Sequence, residues 1–410
     1  MPRFVVPAAA LIVALASSSS AQQPPKPPPT FGSSTNIVLV DFVVTDDKDR
    51  AVAGLSANDF VVKEDGKARP ILSFVAFSNG TGSNAPGPAD DVVVYPPGQA
   101  PEPPTTLAVT VLFVDDGQLS PQQANRLKPA LKKLITTMSL RGGALALVAP
   151  WSNISLAREV DGNAATFAAA VDQIKGRRVD DHSTFPVSDS EAYAVERGDQ
   201  NMLGRLALRF VALNPGFDND QATAAARSRS SEVAHESRTR LGDVYGVVLR
   251  SLDWLAKQPG RHSLVMVSGG YARDPEDSKH EEVVTRSLRA NAPIHFLDAR
   301  GLEGMGAFQG VEYGPALERD AGEEPFAFSN AAEGSSNLAQ DSGGITIRNS
   351  NDLAKGLIRL VDTMTTYYVL GYEAPVHTKK GFRKIKVESK AKGVRVIARA
   401  GYFDDSSLAR

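Results

Sequence analysis

The sequence predicts an α/β protein: a parallel sheet wrapped by helices, with β segments on either side of it in the chain. Three observations predict it. Residues 106–364 alternate apolar strand runs with amphipathic helix patterns, as βαβ units do. The strand runs inside that stretch are continuously apolar, as strands buried on both faces must be. Residues 35–77 and 365–403 instead carry short β-branched runs split by Gly-containing turns.

The chain begins with targeting features. Met1-Pro2-Arg3 supplies one positive charge, residues 4–16 are apolar, and Ser19-Ser20-Ala21 offers small residues for cleavage. Residues 1–21 therefore read as a secretory signal removed after Ala21, since the apolar run is too short to span a bilayer. A secreted or periplasmic protein with no membrane insertion after cleavage is expected. Residues 22–34 are a proline-rich spacer without apolar periodicity.

Composition narrows the function. Of 410 residues, 42% are hydrophobic, enough for a sizeable core. A formal net charge of −2 gives no basic surplus for nucleic acid. The absence of cysteine excludes disulfides, thiolate zinc sites and cysteine nucleophiles.

In the first β segment, residues 37–44 form a β-branched run closed by the polar turn 46–50. Residues 60–63 and 71–75 flank Glu64-Asp65-Gly66-Lys67, and Asp-Gly is a strong hairpin signal because glycine tolerates positive φ. Residues 54–60 read as a capped single turn. A Gly/Pro/Ser-rich linker covers 78–105.

Strands are then expected at 107–114, 144–149, 263–267, 293–297 and 345–347. Helices are expected at about 120–138, 164–174, 191–213, 220–257, 279–290, 330–341 and 351–364. The first helix opens on Ser120-Pro121-Gln122-Gln123: Ser as N-cap, Pro at N1 and Gln at N3 complete a capping box. Leu127, Leu131, Leu134 and Met138 make its apolar stripe. Pro259-Gly260 stops the helix striped by Leu241, Tyr245, Val248, Leu252 and Leu255. A Gly/Glu-rich loop covers 301–327. The C-terminal strands fall at 366–372, 383–389 and 394–398, with Gly401-Tyr402-Phe403 closing before a tail at 404–410. Each β segment is too small to bury a core alone, so the two are expected to share one β-sandwich.

Several pieces in fixed order carry a resemblance: Val43-Val44-Thr45-Asp46 with residues 60–66, Phe113-Val114-Asp115-Asp116 with Leu119-Ser120-Pro121, residues 259–270, residues 295–302, and residues 367–372 with 382–385 and 401–403. With them the chain resembles the bacterial VWFA-related family, described chiefly from acidobacteria, over most of its length. The resemblance implies a von Willebrand factor A-type (vWA, Rossmann-like) parallel sheet and work by binding rather than by catalysis. It also implies a divalent ion at the C-terminal edge of the sheet, held by an Asp and two hydroxyls in a D-x-S-x-S loop, with a Thr and an Asp from other loops.

This chain departs from that pattern. Its loop reads Asp115-Asp116-Gly117-Gln118-Leu119-Ser120, so Gly117 and Leu119 replace both hydroxyls. A shift by one residue offers Asp116, Gln118 and Ser120, but Ser120 also suits the helix N-cap. The Ser-Asp-Gly pattern of relatives is Ser268-Gly269-Gly270 here, and Thr184 lies where the threonine is implied. One reading is a modified Mg²⁺ or Ca²⁺ site using Asp115, Asp116, Gln118, Ser120 and Thr184. The other is a degenerate site without an ion, and it is favoured because octahedral Mg²⁺ tolerates ligand loss poorly. No other cofactor is expected.

Other motifs are weak. Val267-Ser268-Gly269-Gly270 lacks the glycine two before the serine that a nucleophile elbow needs, although His262 and Asp298 exist. His280-Glu281-Glu282-Val283-Val284 lacks the second histidine of H-E-x-x-H and reads as a solvated helix face. Gly304-Met305-Gly306 lacks a correctly spaced third glycine. Arg197-Gly198-Asp199 is too short to carry a function. The expected function is protein or surface-ligand binding through Asp115, Asp116, Gly117, Gln118, Ser268 and Asp298, with loops 180–190 and 301–327 beside them. The alternatives are a serine hydrolase using Ser268 and a structural envelope component.

Overall fold

The computed structural model describes residues 37–48, 50–78, 109–141, 144–160, 162–178, 185–274, 277–301, 332–375 and 381–404. The expected signal segment and spacer, nearly all of linker 78–105, Thr184, loop residues 302–327 and the tail beyond Asp404 lie outside the described residues. Among the described residues, no helix is long and apolar enough to cross a membrane.

The first segment gives β1 (Ile37–Asp46), β2 (Phe60–Glu64), β3 (Lys67–Arg69) and β4 (Ile71–Ser78). Ala57–Asp59 form the expected single turn, with the Asp59 carboxylate accepting the Ser56 N–H at 2.8 Å. Asp65 and Gly66 both take positive φ, 48° and 80°, as a two-residue hairpin turn requires. That hairpin differs from the expected one. β2 pairs with the short β3, whereas β4 joins a different sheet. Pro70 lies between β3 and β4; without an N–H it cannot continue the ladder, and the chain crosses over there.

The middle of the chain gives β5 (Val109–Val114), α1 (Pro121–Arg141), β6 (Ala144–Ala149), β7 (Ile154–Glu159), α2 (Ala164–Asp172), α3 (Asp189–Glu196), α4 (Gln200–Leu213), α5 (Asn219–Leu255), β8 (His262–Ser268), α6 (Ser278–Arg289), β9 (Ile294–Asp298), α7 (Glu333–Asp341), β10 (Thr346–Ile347) and α8 (Leu353–Thr365). Its sheet runs β10-β9-β8-β5-β6-β7. All neighbours are parallel except the edge strand β7, which is antiparallel to β6. Starting from β5, the chain winds outward through β6 to one edge, then returns to β8 and winds to the other. This is the doubly wound arrangement of a Rossmann-like sheet.

β5 is buried at all six positions because both sheet faces are covered. Leu112 and Val114 point to one side, where Leu127, Leu131 and Leu134 of α1 and Leu357 and Leu360 of α8 cover them. Val111 and Phe113 point to the other, against Tyr245, Val248 and Leu252 of α5. Each such buried side chain stabilises the fold by roughly 1.5–3 kcal/mol.

β7 is not among the expected strands. Its burial falls away along the strand, and a half-exposed edge strand lacks the apolar run that betrays a central one. The single helical region expected over 191–213 is two helices, α3 and α4. Asp199 accepts the N–H groups of Asn201 and Met202 and so starts α4 afresh. Phe210 and Leu206 of α4 and Tyr193 of α3 pack on Ala222, Ala226 and Val233 in the first half of α5. At 1.5 Å per residue α5 is about 55 Å long, and its second half lies on the sheet.

The last segment gives β11 (Thr366–Glu373), β12 (Gly381–Ser389), β13 (Val394–Ala398) and β14 (Gly401–Asp404). Its strands interleave with those of the first segment in two antiparallel sheets, β13-β1-β11-β4 and β14-β12-β2-β3. Phe60 of one sheet meets Phe42 edge-on at 4.8 Å and Phe74 at 5.6 Å from the other. Val40, Val62, Leu370 and Ile385 fill the same core. The N- and C-terminal strands thus form one β-sandwich, each supplying what the other lacks for a buried core.

Candidate functional site: the C-terminal rim of the parallel sheet

The apolar runs of β5, β8 and β9 end in polar residues at the same edge. Register pairs Val114 with Val267 and Ser268 with Asp298, and the Asp115 N–H donates to the Val267 carbonyl at 2.9 Å. Asp115, Ser268 and Asp298 therefore leave the sheet side by side. β5 and β8 flank the point where the winding direction reverses, the crevice at which open α/β sheets bind ligands.

The side chains there are internal. Asp115, Asp116 and Ser268 are fully buried and Asp298 nearly so; of the expected contact residues only Gly117 and Gln118 reach solvent, in part. The four buried groups shape the rim from beneath rather than present themselves to a partner. Ser268 donates its hydroxyl to Asp115 Oδ2 at 2.7 Å and accepts the Gly270 N–H at 3.0 Å, tying the β5 end to the turn after β8. Asp115 Oδ1 is buried with no hydrogen-bond partner among the described residues. Burial pushes the Asp115 carboxyl up to about 7; the Ser268 hydrogen bond opposes this, and the adjacent Asp116 reinforces it.

Asp116 accepts the Ser152 hydroxyl and, at 3.2 Å, the Trp151 N–H. Burial raises its carboxyl too, against the Ser152 hydrogen bond. Ser152 also accepts the Lys175 N–H at 2.9 Å, and the Arg177 N–H donates to the Asp116 carbonyl. Residues 174–178 thus run over the β5–α1 loop. Asp298 Oδ1 accepts the Arg300 N–H and Nε, both at 3.0 Å, and Oδ2 accepts Arg300 Nη2 at 2.6 Å. Arg348 Nε stands 3.7 Å from the same carboxylate. Arg126 of α1 donates to the Ala299 and Arg300 carbonyls at 3.2 and 2.9 Å.

The described residues do not fit the implied divalent ion. Ser120 is the N-cap of α1: its hydroxyl accepts the Gln123 N–H at 3.2 Å while Gln123 Oε1 accepts the Ser120 N–H at 3.0 Å. The carboxylates of Asp115 and Asp116 already take hydrogen bonds from Ser268, Ser152 and Trp151. At Gly269, where the implied pattern places an Asp, a Cβ would stand 2.7 Å from the Gln118 carbonyl oxygen. The β5–α1 loop has closed onto the space such a carboxylate needs. Among the described residues no group of three or more His, Cys, Asp or Glu side chains is placed to hold a metal. Thr184 lies outside the described residues.

The remaining motifs also have places. Ser268 and His262 sit at opposite ends of β8, about 20 Å apart at the rise of a strand. His262 is bonded there to the Ala290 and Gln258 carbonyls. His280, expected on a solvated face, is instead buried and pairs with Asp341 of α7 at 3.0 Å, because that side of α6 faces α7. Arg197-Gly198-Asp199 forms the exposed α3–α4 turn, where Asp199 serves as a cap.

Sequence reasoning passed over Arg126, Arg300 and the Trp151-Ser152 pair. Arg300 had a local signal, two residues after an Asp at a strand's C-terminal end, but the others come from distant segments. No protein-family model matches the chain, and no curated protein is found to be similar to it.

Proposed function

We propose that this is an exported, non-enzymatic binding protein of the VWFA-related type, whose C-terminal rim engages a partner protein or surface ligand without a resident metal ion. The observation that carries this reading is the convergence of Asp115 and Ser268 at the switch point of a doubly wound sheet. Three things support independence from metal: Ser120 caps a helix, Gly269 has no room for a carboxylate, and the loop carboxylates accept protein hydrogen bonds. With the acids internal, contact falls to the half-exposed loop at Gly117 and Gln118 and to the exposed Lys175 and Arg177 beside it.

The test captures partners from a native envelope fraction on immobilised protein, with and without chelator. A partner retained in chelator and lost with Gln118→Arg is the expected result. Calorimetric titration with Mg²⁺, Mn²⁺ and Ca²⁺ should give no saturable heat. Metal binding that disappears in Asp115→Asn, or labelling of Ser268 by a serine-directed covalent probe, would overturn the reading.

A further inference from the structure

The opposite end of the parallel sheet abuts the sandwich, and a small cleft of about 30 Å³ opens between them. Its walls include Asp41 of β1, Arg261 before β8, Asn291 after α6, His295 of β9 and Arg399 between β13 and β14. Both arginines reach across the joint. Arg399, from the sandwich, gives Nη2 to the Leu39 carbonyl and Nη1 to Asn291 Oδ1 at 3.4 Å. Its Nε is buried with no hydrogen-bond partner among the described residues. Arg261, from the α/β side, gives Nη1 to the Met364 carbonyl and lies over the Tyr367 ring at 3.6 Å.

The lining holds two guanidiniums and one carboxylate. Asp41 Oδ2 stands 3.8 Å from Arg261 Nε, too far for a hydrogen bond. His295 adds no charge: burial, with the nearby Arg261 charge, drives its imidazole down to about 3. Its Nδ1 accepts the Ile345 N–H at 3.1 Å, so the ring proton sits on Nε2. Burial also holds both guanidiniums below the usual arginine range, with Asp41 offsetting this only in part. Both guanidiniums are half-buried; a partly desolvated cation short of counter-charge favours an anion, and planar guanidinium donors match the oxygens of carboxylate and phosphate.

We propose that this cleft binds a small oxyanion, a phosphate or a carboxylate, between Arg399 and Arg261, and that the bound anion fastens the sandwich to the α/β domain. The site is separate from the C-terminal rim and does not depend on what the rim binds.

The experiment follows the thermal-unfolding midpoint of the purified chain against sodium phosphate and against sodium acetate, each referred to sodium chloride at equal ionic strength. A ligand that binds only the folded state raises the midpoint saturably. A saturable rise with phosphate alone assigns a phosphate site, and with acetate alone a carboxylate site. Arg399→Gln should weaken the apparent affinity by about tenfold or more, the scale of a lost charged hydrogen bond. Arg399→Lys keeps the charge without the planar donors, so it guards against a folding defect and should still weaken binding. Arg158→Gln, on the exposed edge strand β7, should leave it unchanged. The proposal is overturned if neither anion exceeds chloride, or if both Arg399 variants respond as the parent does.

Discussion

At the C-terminal rim of the parallel sheet three carboxylates are buried, and Ser268, Ser152 and the buried Arg300 each donate to one of them. At the opposite rim, against the sandwich, the charges are the half-buried guanidiniums of Arg261 and Arg399, and Asp41 is the one carboxylate in the cleft lining. The same sheet thus ends in an acid-lined, internally bonded edge on one side and a cation-rich joint on the other. A satisfied buried charge fixes geometry, whereas an under-compensated one leaves a demand that a ligand can meet.

The strongest way to break the comparison is Asp298→Ala. Arg300 is 7% exposed and directs its N–H, Nε and Nη2 at that carboxylate. Truncation leaves a buried guanidinium without its anion, which should cost about 3–5 kcal/mol. Urea unfolding checks it; a loss under about 1 kcal/mol would mean that Arg300 finds water or another acid.

Asp115 offers a titration. Its folded-state value of about 7 lies above the ordinary carboxylate value of 3.8. Between those limits the folded state keeps a proton that the unfolded state has released, so this group's contribution is fully favourable below about pH 4 and declines as pH rises to about 7. Each pKa unit corresponds to about 1.4 kcal/mol, so the decline is on the order of a few kcal/mol. Asp115→Asn keeps an acceptor for Ser268 and removes the titration. It should be more stable than the parent at pH 8, and the difference should shrink toward pH 4. Because Asp116 is raised as well, the difference between the two proteins is the informative quantity.

What the sequence revealed follows from the range of each interaction. Ser120 as an N-cap was legible because its partner, Gln123, is three residues away. The buried stripes of α1 and α5 were legible from their period, and Asp115, Ser268 and Asp298 as strand ends from where apolar runs stop. The crossover at Pro70 was not, because pairing partners lie hundreds of residues apart: β4 pairs with β11. Nor was the burial of the rim acids, which depends on Trp151, Ser152 and residues 174–178 folding over the loop. The obstruction at Gly269 is a meeting of two backbones, and no residue type signals it.

Arg261→Met sharpens the contrast from the other rim. The variant keeps apolar contact with Tyr367 and removes a desolvated cation whose nearest carboxylate, Asp41, remains partly hydrated with its side chain 25% exposed. The lost cation–π contact and the relieved desolvation oppose each other, so the change should stay within about 1–2 kcal/mol. A loss as large as that of Asp298→Ala would show that the joint is as fully compensated as the rim.

The smallest effect expected is at Ser120, and it separates the two meanings a loop hydroxyl can have. As an N-cap, Ser120 satisfies one N–H of the first turn of α1, and Ser120→Ala should cost about 1 kcal/mol in urea unfolding. Ser120→Asp should recover most of that, since aspartate caps as well as serine and suits the positive end of the helix dipole. An ion ligand would behave differently. Alanine would then change stability only in the presence of Mg²⁺ or Ca²⁺, because the stabilisation would come from bound metal. Equal losses for Ser120→Ala in chelator and in millimolar Mg²⁺ are expected. A loss that appears only with the ion would return Ser120 to the metal site and, with it, reopen the role of Asp116 and Gln118.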